Sequence, residues 1–231
     1  MGTLSEHSAV QATAKAVLSD LACSIVPADT ERTIAARAST LLADRGLTET
    51  WYYNCPAFVL LGSRSCLSIS GRDYVPGDDP VGTFNVVTVD LSPLRNGVWG
   101  DCARTFPVED GHCTFVPQSL ELKRGVEVEA LLHRAMQGFV SQSTTFEELI
   151  AFGNSEIRRL GFENLDFLGN LGHSIGSKRE DRRFIEPGNL MPLGAVPFFT
   201  FEPHIRQTNG TWGFKHEDIY YFDSEERLHA L

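Results

Sequence analysis

Five residues of metal-ligand type stand along this chain in the order Asp, Asp, His, Glu, Glu: Asp90, Asp101, His173, Glu202 and Glu217. Each lies in an apolar or glycine-rich stretch that reads as buried. Asp90 and Asp101 fall within NVVTVDLSPLRNGVWGDCARTF, His173 within NLGHSIG, Glu202 within PFFTFEPHI and Glu217 within GFKHEDIYYF. Four carboxylates brought together away from water cannot all stay ionised without compensating charge. Divalent cations supply it, and a set rich in carboxylate with one imidazole suits two ions of manganese, iron, cobalt or zinc. Two such ions about 3.5–4 Å apart can hold and activate one water, which is the chemistry of metal-assisted hydrolysis.

Each residue also has a plainer reading. Asp90 alone could be a turn former, His173 a satisfied loop histidine and Glu202, before Pro203, a charge at a strand end. The run Phe198-Phe199-Thr200-Phe201 ahead of Glu202 argues against water there and for a cation. Glu217 and Asp218 are neighbours, so on a strand only one of them faces a common site. The same rule expects Cys102, next to Asp101, to face away from it. His204 and His216 are expected on the face opposite the ligands. The cluster Trp51-Tyr52-Tyr53 reads as core or rim, and the basic run 177–183 as a solvated loop or as a grip on an anionic substrate group, with Arg72 as a further candidate for that grip.

The elements that position these residues follow from pattern and punctuation. Residues 6–25 read as an Ala- and Leu-rich helix ended by Pro27, and 30–45 as a second helix with Asp29 as N-cap and Gly46 as its stop. The β-branched run at 83–91, the turn SPLRNG and a return strand at 97–105 predict a hairpin that sets Asp90 opposite Asp101. Helices are expected at 122–141 and 145–160, the latter opened by a Thr145 and Glu148 capping box. Strands at 196–203 and 213–222, joined through Asn209-Gly210, complete the set.

From about residue 10 onward the chain resembles the pita-bread metallopeptidases, which include methionine aminopeptidase, aminopeptidase P and prolidase, with creatinase as a metal-free relative. VDLSPLRNGVWGDCARTF, GHSIG, FTFEP and HEDIYYF carry the resemblance. It implies an α+β pita-bread fold: a curved antiparallel sheet with helices packed on its outer face. We expect 1–231 to be a single catalytic domain of that kind, without the N-terminal domain of aminopeptidase P or prolidase. The resemblance further implies that Asp101 and Glu217 bridge two divalent metal ions, that Asp90 completes one ion and that His173 and Glu202 complete the other. His173 and Glu202 are then the catalytic candidates, with Glu202 sharing the proton. The expected enzyme is a dinuclear hydrolase of the aminopeptidase P or prolidase type, acting on short peptides or amino-acid derivatives.

Two positions depart from the family pattern. The peptidases place a substrate-side histidine about seven residues after the metal histidine, where this chain has Glu180, and another ahead of the first aspartate, where it has Arg72 and Asp73. Imidazole is the usual group for moving protons near neutral pH. Its loss favours a rival expectation, a family member recruited to lyase, amidohydrolase or oxidative chemistry on a small amino-acid-like metabolite. A non-catalytic binding module and metal-free hydrolysis are disfavoured by the intact ligand set.

Composition bounds the rest. With 231 residues, 42% of them apolar, the chain can bury one sizeable core. A net charge of −10 argues against nucleic-acid and anionic-membrane partners, leaving a small molecule or short peptide as the expected partner, and a homodimer as an open arrangement. Five cysteines without CxxC spacing are expected as reduced thiols of a cytoplasmic protein, and no signal peptide or ~20-residue apolar run is evident.

Overall fold

The computed structural model describes residues 2–231. Leu4–Ser24 (α1) buries His7, Val10, Gln11, Ala14, Val17, Leu18 and Leu21, a recurrence at three and four residues that turns one face to the core. A capping box starts it: the Thr3 hydroxyl accepts from the Glu6 amide, and the Glu6 carboxylate accepts from the Thr3 amide. Glu31–Asp44 (α2) buries Ile34, Ala38 and Leu42. Its N-cap is Thr30, not Asp29; the Thr30 hydroxyl accepts from the Thr33 amide. Asp29 instead turns inward onto the Arg37 guanidinium at 2.5 Å and accepts from the Val26 amide. A charge-assisted pair holds a buried carboxylate better than a single helix amide does.

The chain continues through β1 (Glu49–Thr50), β2 (Ala57–Leu61), β3 (Asn85–Leu91), β4 (Pro93–Arg95), β5 (Val98–Trp99), β6 (Cys102–Glu109) and β7 (His112–Cys113). Strands β2, β3, β6 and β7 lie side by side in that order as an antiparallel sheet. The expected pairing after 83–91 is present, but its return strand begins at Cys102 rather than 97. The tight turn, Asn96-Gly97 with φ of 53° and 76°, closes β4 onto β5 instead, and this pair joins β1 in a separate small sheet. In consequence Asp90 lies opposite Ala103, not Asp101. Asp101 sits just ahead of β6, two residues from Ala103.

The second half repeats the plan with two helices and short antiparallel strands. Leu120–Phe139 (α3) is followed by Phe146–Arg159 (α4), which opens on the expected Thr145 and Glu148 capping box. Then come β8 (Phe162–Asn164), β9 (Phe199–Phe201), β10 (His204–Gln207), β11 (Gly213–Lys215), β12 (Asp218–Phe222) and β13 (Leu228–Ala230). The strand expected at 196–203 is shortened to β9, and 213–222 is split: β11 pairs with β10, while β12 pairs with β9 and β13. At the split, Glu217 leaves both ladders and bridges Ala103, its amide donating to the Ala103 carbonyl at 3.0 Å. That bridge ties the second half to β6.

Each half has its own core. In the first, α1 and α2 pack on Val87, Val89 and Leu91 of β3, whereas Thr88 and Asp90, on alternate positions, line a cavity on the other side. Cys102 points into this helix-side core, as expected, and all five thiols are free. In the second, α3 and α4 pack on Phe199, Phe201, Ile205, Phe214 and Tyr220. Helices outside and a cavity inside follow from that alternation. Among the described residues no helix is long and apolar enough to cross a membrane.

Candidate metal centre

A cavity of about 490 Å³ opens where the two halves meet, and all five sequence-selected residues line it. Asp101 is held by α1 through its backbone: Gln11 Nε2 donates to the Asp101 carbonyl at 2.7 Å, and the Asp101 amide donates to Gln11 Oε1 at 2.9 Å. His173 and Glu202 are set by one threonine. Thr200 Oγ1 accepts from the His173 amide at 3.0 Å and donates to Glu202 Oε1 at 3.2 Å. This close approach needs Gly172, whose φ is 135° and where an added Cβ would stand 2.5 Å from the Thr200 carbonyl oxygen. The His173 Nδ1–H donates to the Ser174 carbonyl at 3.0 Å, so Nε2 faces the cavity, 3.5 Å from Asp101 Oδ2 and 3.7 Å from Glu202 Oε1.

The ligand set fits a cation. Asp101, His173 and Glu217 are buried and offer one ligand atom each, all within 4.8 Å of one another. Asp101 Oδ2 and both Glu217 carboxylate oxygens make no hydrogen bond. Orphaned buried oxygens of this kind are costly unless something positive meets them. Burial, and then the neighbouring carboxylates, pushes the Asp101 and Glu217 carboxyls well above their ordinary range. Burial brings the His173 imidazole down to about 4, which leaves it neutral, the form that binds metals.

One cation is already present, and sequence reasoning missed it. Lys215 Nζ lies 2.5 Å from Asp90 Oδ2, 3.0 Å from Glu202 Oε2 and 3.6 Å from Glu217 Oε2. Burial alone would pull its pKa down, but Asp90, Glu202 and Glu217 outweigh that and hold it well above the lysine range. The same ammonium, then His173, keeps Glu202 below its ordinary value against the effect of burial, whereas burial wins at Asp90 and raises it. The signal was available in the sequence: Lys215 stands two residues before Glu217, as His204 stands two after Glu202.

The model of metallopeptidase family M24 matches residues 6–224. The chain belongs to metallopeptidase family M24. Solved structures agree on the pita-bread fold. The X-Pro aminopeptidase of Thermotoga maritima superposes with a TM-score of 0.78 at 20% identity, over 96% of this chain and 58% of that one. For the prolidase of Pyrococcus furiosus the values are 0.76, 20%, 100% and 64%. For the methionine aminopeptidase of Rickettsia prowazekii they are 0.73, 16%, 97% and 94%. This M24 chain thus spans about three-fifths of the first two relatives and nearly all of the third. A comparison with curated proteins gave no match.

The residues around the M24 centre account for the departures noted in the sequence. Arg72 and Asp73 line the cavity, but Glu180 is exposed and pairs with Arg179 outside it. His204, expected to face away, lines the cavity because it lies two residues, not one, from Glu202. Its Nε2–H donates to the Ser65 carbonyl at 2.7 Å, and burial lowers its pKa to about 4. The basic run is not simply solvated. Arg182 lies over the rings of Trp51 and Phe184, at 5.3 and 5.0 Å from their centroids, and lines the cavity. Arg179 stacks on Tyr53 at 3.8 Å, and Arg72 donates to the Tyr53 hydroxyl at 2.9 Å.

His216 faces away, as expected, together with Asp218. They form a second group with His133 that has metal-ligand types but holds its charges internally. The His133 Nε2–H donates to the His216 carbonyl, and its Nδ1 accepts from the Tyr220 hydroxyl. Asp218 is matched by Arg104 at 2.9 Å, Lys15 at 2.8 Å and His216 at 2.9 Å. Both His133 nitrogens and His216 Nε2 are hydrogen-bonded and the Asp218 carboxylate is paired, so the charge of this group is balanced without an ion.

Proposed function

We propose that the chain is a metal-dependent hydrolase of the aminopeptidase P or prolidase type, cleaving short peptides or amino-acid derivatives that carry an anionic group. The observation that supports it most is the convergence of Asp101, His173 and Glu217, with their orphaned oxygens, at the wall of a cavity of about 490 Å³. Those three residues would hold a divalent ion with Glu202 beside them. Such an ion supplies Lewis acidity toward a carbonyl and lowers the pKa of a water.

The chain's own residues do the rest. Glu202, hydrogen-bonded by Thr200 and kept ionised by Lys215, is placed to accept a proton from the attacking water and return it to the departing amine. Neutral His173 is fixed by Ser174 so that only Nε2 points inward. Arg182, clamped between Trp51 and Phe184, and Arg72, tied to Tyr53, offer fork-shaped donors to a substrate carboxylate. Trp51, Tyr52, Tyr53 and Phe184 form an aromatic part of the cavity wall.

A second reading has specific support. At the sequence positions where the peptidases carry imidazole this chain has Arg72 and Asp73, which line the cavity, and Glu180, which lies outside it, while His204 has one nitrogen committed to Ser65. That favours a small amino-acid-like substrate with an easier leaving group over a peptide. The deciding experiment is a turnover screen of metal-loaded protein on Xaa-Pro and Met-Xaa peptides beside N-acyl amino acids and related amides. Metal-dependent cleavage of a member of either set, lost in His173→Ala, is the expected result, and the set cleaved chooses between the readings. No turnover of any amide by metal-loaded protein rejects hydrolysis.

A further inference from the structure

The Lys215 ammonium divides the five ligands into unequal parts. On one side, Asp101, His173 and Glu217 keep one converging ligand atom each, and Asp101 Oδ2 and both Glu217 carboxylate oxygens have no hydrogen bond. On the other, Asp90 stands outside that group, and its Oδ2 already carries Lys215 Nζ at 2.5 Å. Glu202 and Glu217 touch both parts: Glu202 reaches His173 Nε2 at 3.7 Å with one oxygen and Lys215 Nζ at 3.0 Å with the other, and Glu217 Oε2 lies farther from the ammonium, at 3.6 Å.

We propose that Lys215 replaces a second metal ion in this chain, so that the centre binds one divalent cation at Asp101, His173 and Glu217 while the tethered ammonium neutralises Asp90 and Glu202. The proposal rests on the metal-dependent reading above and specifies its stoichiometry. Four carboxylates by themselves call for two divalent ions; with a fixed positive charge among them the demand is smaller. An ion bound to Asp90 would share that carboxylate with an ammonium in contact with it, and two cations side by side in a poorly hydrated pocket repel strongly.

The backbone that carries Lys215 is held in place. Its backbone amide donates to Thr105 Oγ1 at 2.7 Å, and Thr105 Oγ1 donates in turn to the Lys215 carbonyl at 3.1 Å. Next to it on β11, Phe214 is fully buried against Gly125 of α3. The strand that carries the ammonium is therefore pinned from both sides, and Lys215 Nζ has three carboxylates and no competing partner among the described residues.

The test counts metal rather than activity. Protein is loaded with excess Mn(II), freed of unbound ion by gel filtration, and its metal content and paramagnetic resonance spectrum are measured. The native chain is expected to hold one ion with the spectrum of isolated Mn(II). Lys215→Met should take up a second and show a spin-coupled pair. Asp90→Asn, which alters a ligand that belongs only to the vacated half, should still hold one ion in an otherwise native chain. Two ions in the native protein, one in Lys215→Met, or a loss of metal in Asp90→Asn would each overturn the proposal. If Lys215→Met fails to fold, the native count and the Asp90→Asn count still decide it. A native chain that binds no Mn(II), Co(II) or Zn(II) instead removes the metal-dependent reading itself, so the two failures are distinguishable.

Discussion

Arg182 is the residue on which substrate choice can be tested most directly. Its guanidinium lies over Trp51 and Phe184 and lines the cavity without an ion-pair partner within 4 Å among the described residues. Its Nε–H donates to the Arg179 carbonyl at 2.9 Å, and the two terminal nitrogens that remain suit a carboxylate of the substrate. Arg182→Met keeps most of the stem packing and removes the charge. Losing a hydrogen bond to a charged group costs about 1.5–3 kcal/mol, so KM for a substrate with a free carboxylate should rise by roughly 10- to 100-fold. The amidated analogue of the same substrate should show no comparable change. Equal increases for both would mean that Arg182 shapes the wall rather than reading the ligand. At this scale the sequence was most informative for residue types that are costly to bury. Asp90, Asp101, His173, Glu202 and Glu217 were visible as buried polar groups in apolar runs, and the cavity collects all five. Lys215 was not singled out as part of the centre, and Arg182 only as one of the basic run 177–183, because lysine and arginine on a strand or loop are ordinarily solvated and only tertiary packing brings them indoors.

At the scale of elements, helix ends were legible and strand partners were not. The Thr145 and Glu148 box marks α4 because capping is a local hydrogen-bond problem solved within four residues. Asp29 failed as a cap because Arg37, one more helical turn along, competes for it. The hairpin register failed for a related reason: Asn96-Gly97 is a strong turn signal, but it closes β4 on β5. Likewise the run 213–222 looks continuous, yet its halves find different partners, and only the resulting break lets Glu217 bridge to Ala103. The seam between α3 and β11 offers a test of how tightly such packing is specified. A Cβ at Gly125 would stand 2.2 Å from ring atoms of Phe214, whereas at Gly138, on the same helix, nothing lies within 4 Å. Gly138→Ala should stabilise the fold by about 0.4–1 kcal/mol by restricting the unfolded chain. Gly125→Ala should instead destabilise it by about 1–3 kcal/mol, since the overlap must displace a buried ring. Urea unfolding of the two variants measures both. If Gly125→Ala also gained stability, β11 would not be pinned as described.

For the molecule as a whole, protons and metal compete for the same groups. In the metal-free protein the Asp101 and Glu217 carboxyls have folded pKa values well above their unfolded ones, chiefly through burial. A raised carboxyl contributes stability that is present below the unfolded pKa and lost as pH rises through the folded value, because ionisation then sets uncompensated charges in the interior. Buried Glu129, raised by the same cause and without a hydrogen-bond partner, acts in the same direction. The histidines act the opposite way. Burial holds His133 at about 3 and His173 and His204 at about 4, so their contribution is present above about pH 6.5 and is lost as pH falls toward those values. Metal-free protein is thus squeezed from both sides. A bound ion removes the alkaline penalty, since it compensates Asp101 and Glu217, and it must displace their protons to do so. Each displaced proton makes affinity tenfold tighter per pH unit, about 1.4 kcal/mol. The increase in melting temperature on adding Mn(II) should accordingly be large at pH 8 and small at pH 5.5. Calorimetric titrations in buffers of different ionisation enthalpy should show proton release near neutrality. An equal increase at both pH values, with no proton release, would mean that the ion binds away from Asp101, His173 and Glu217.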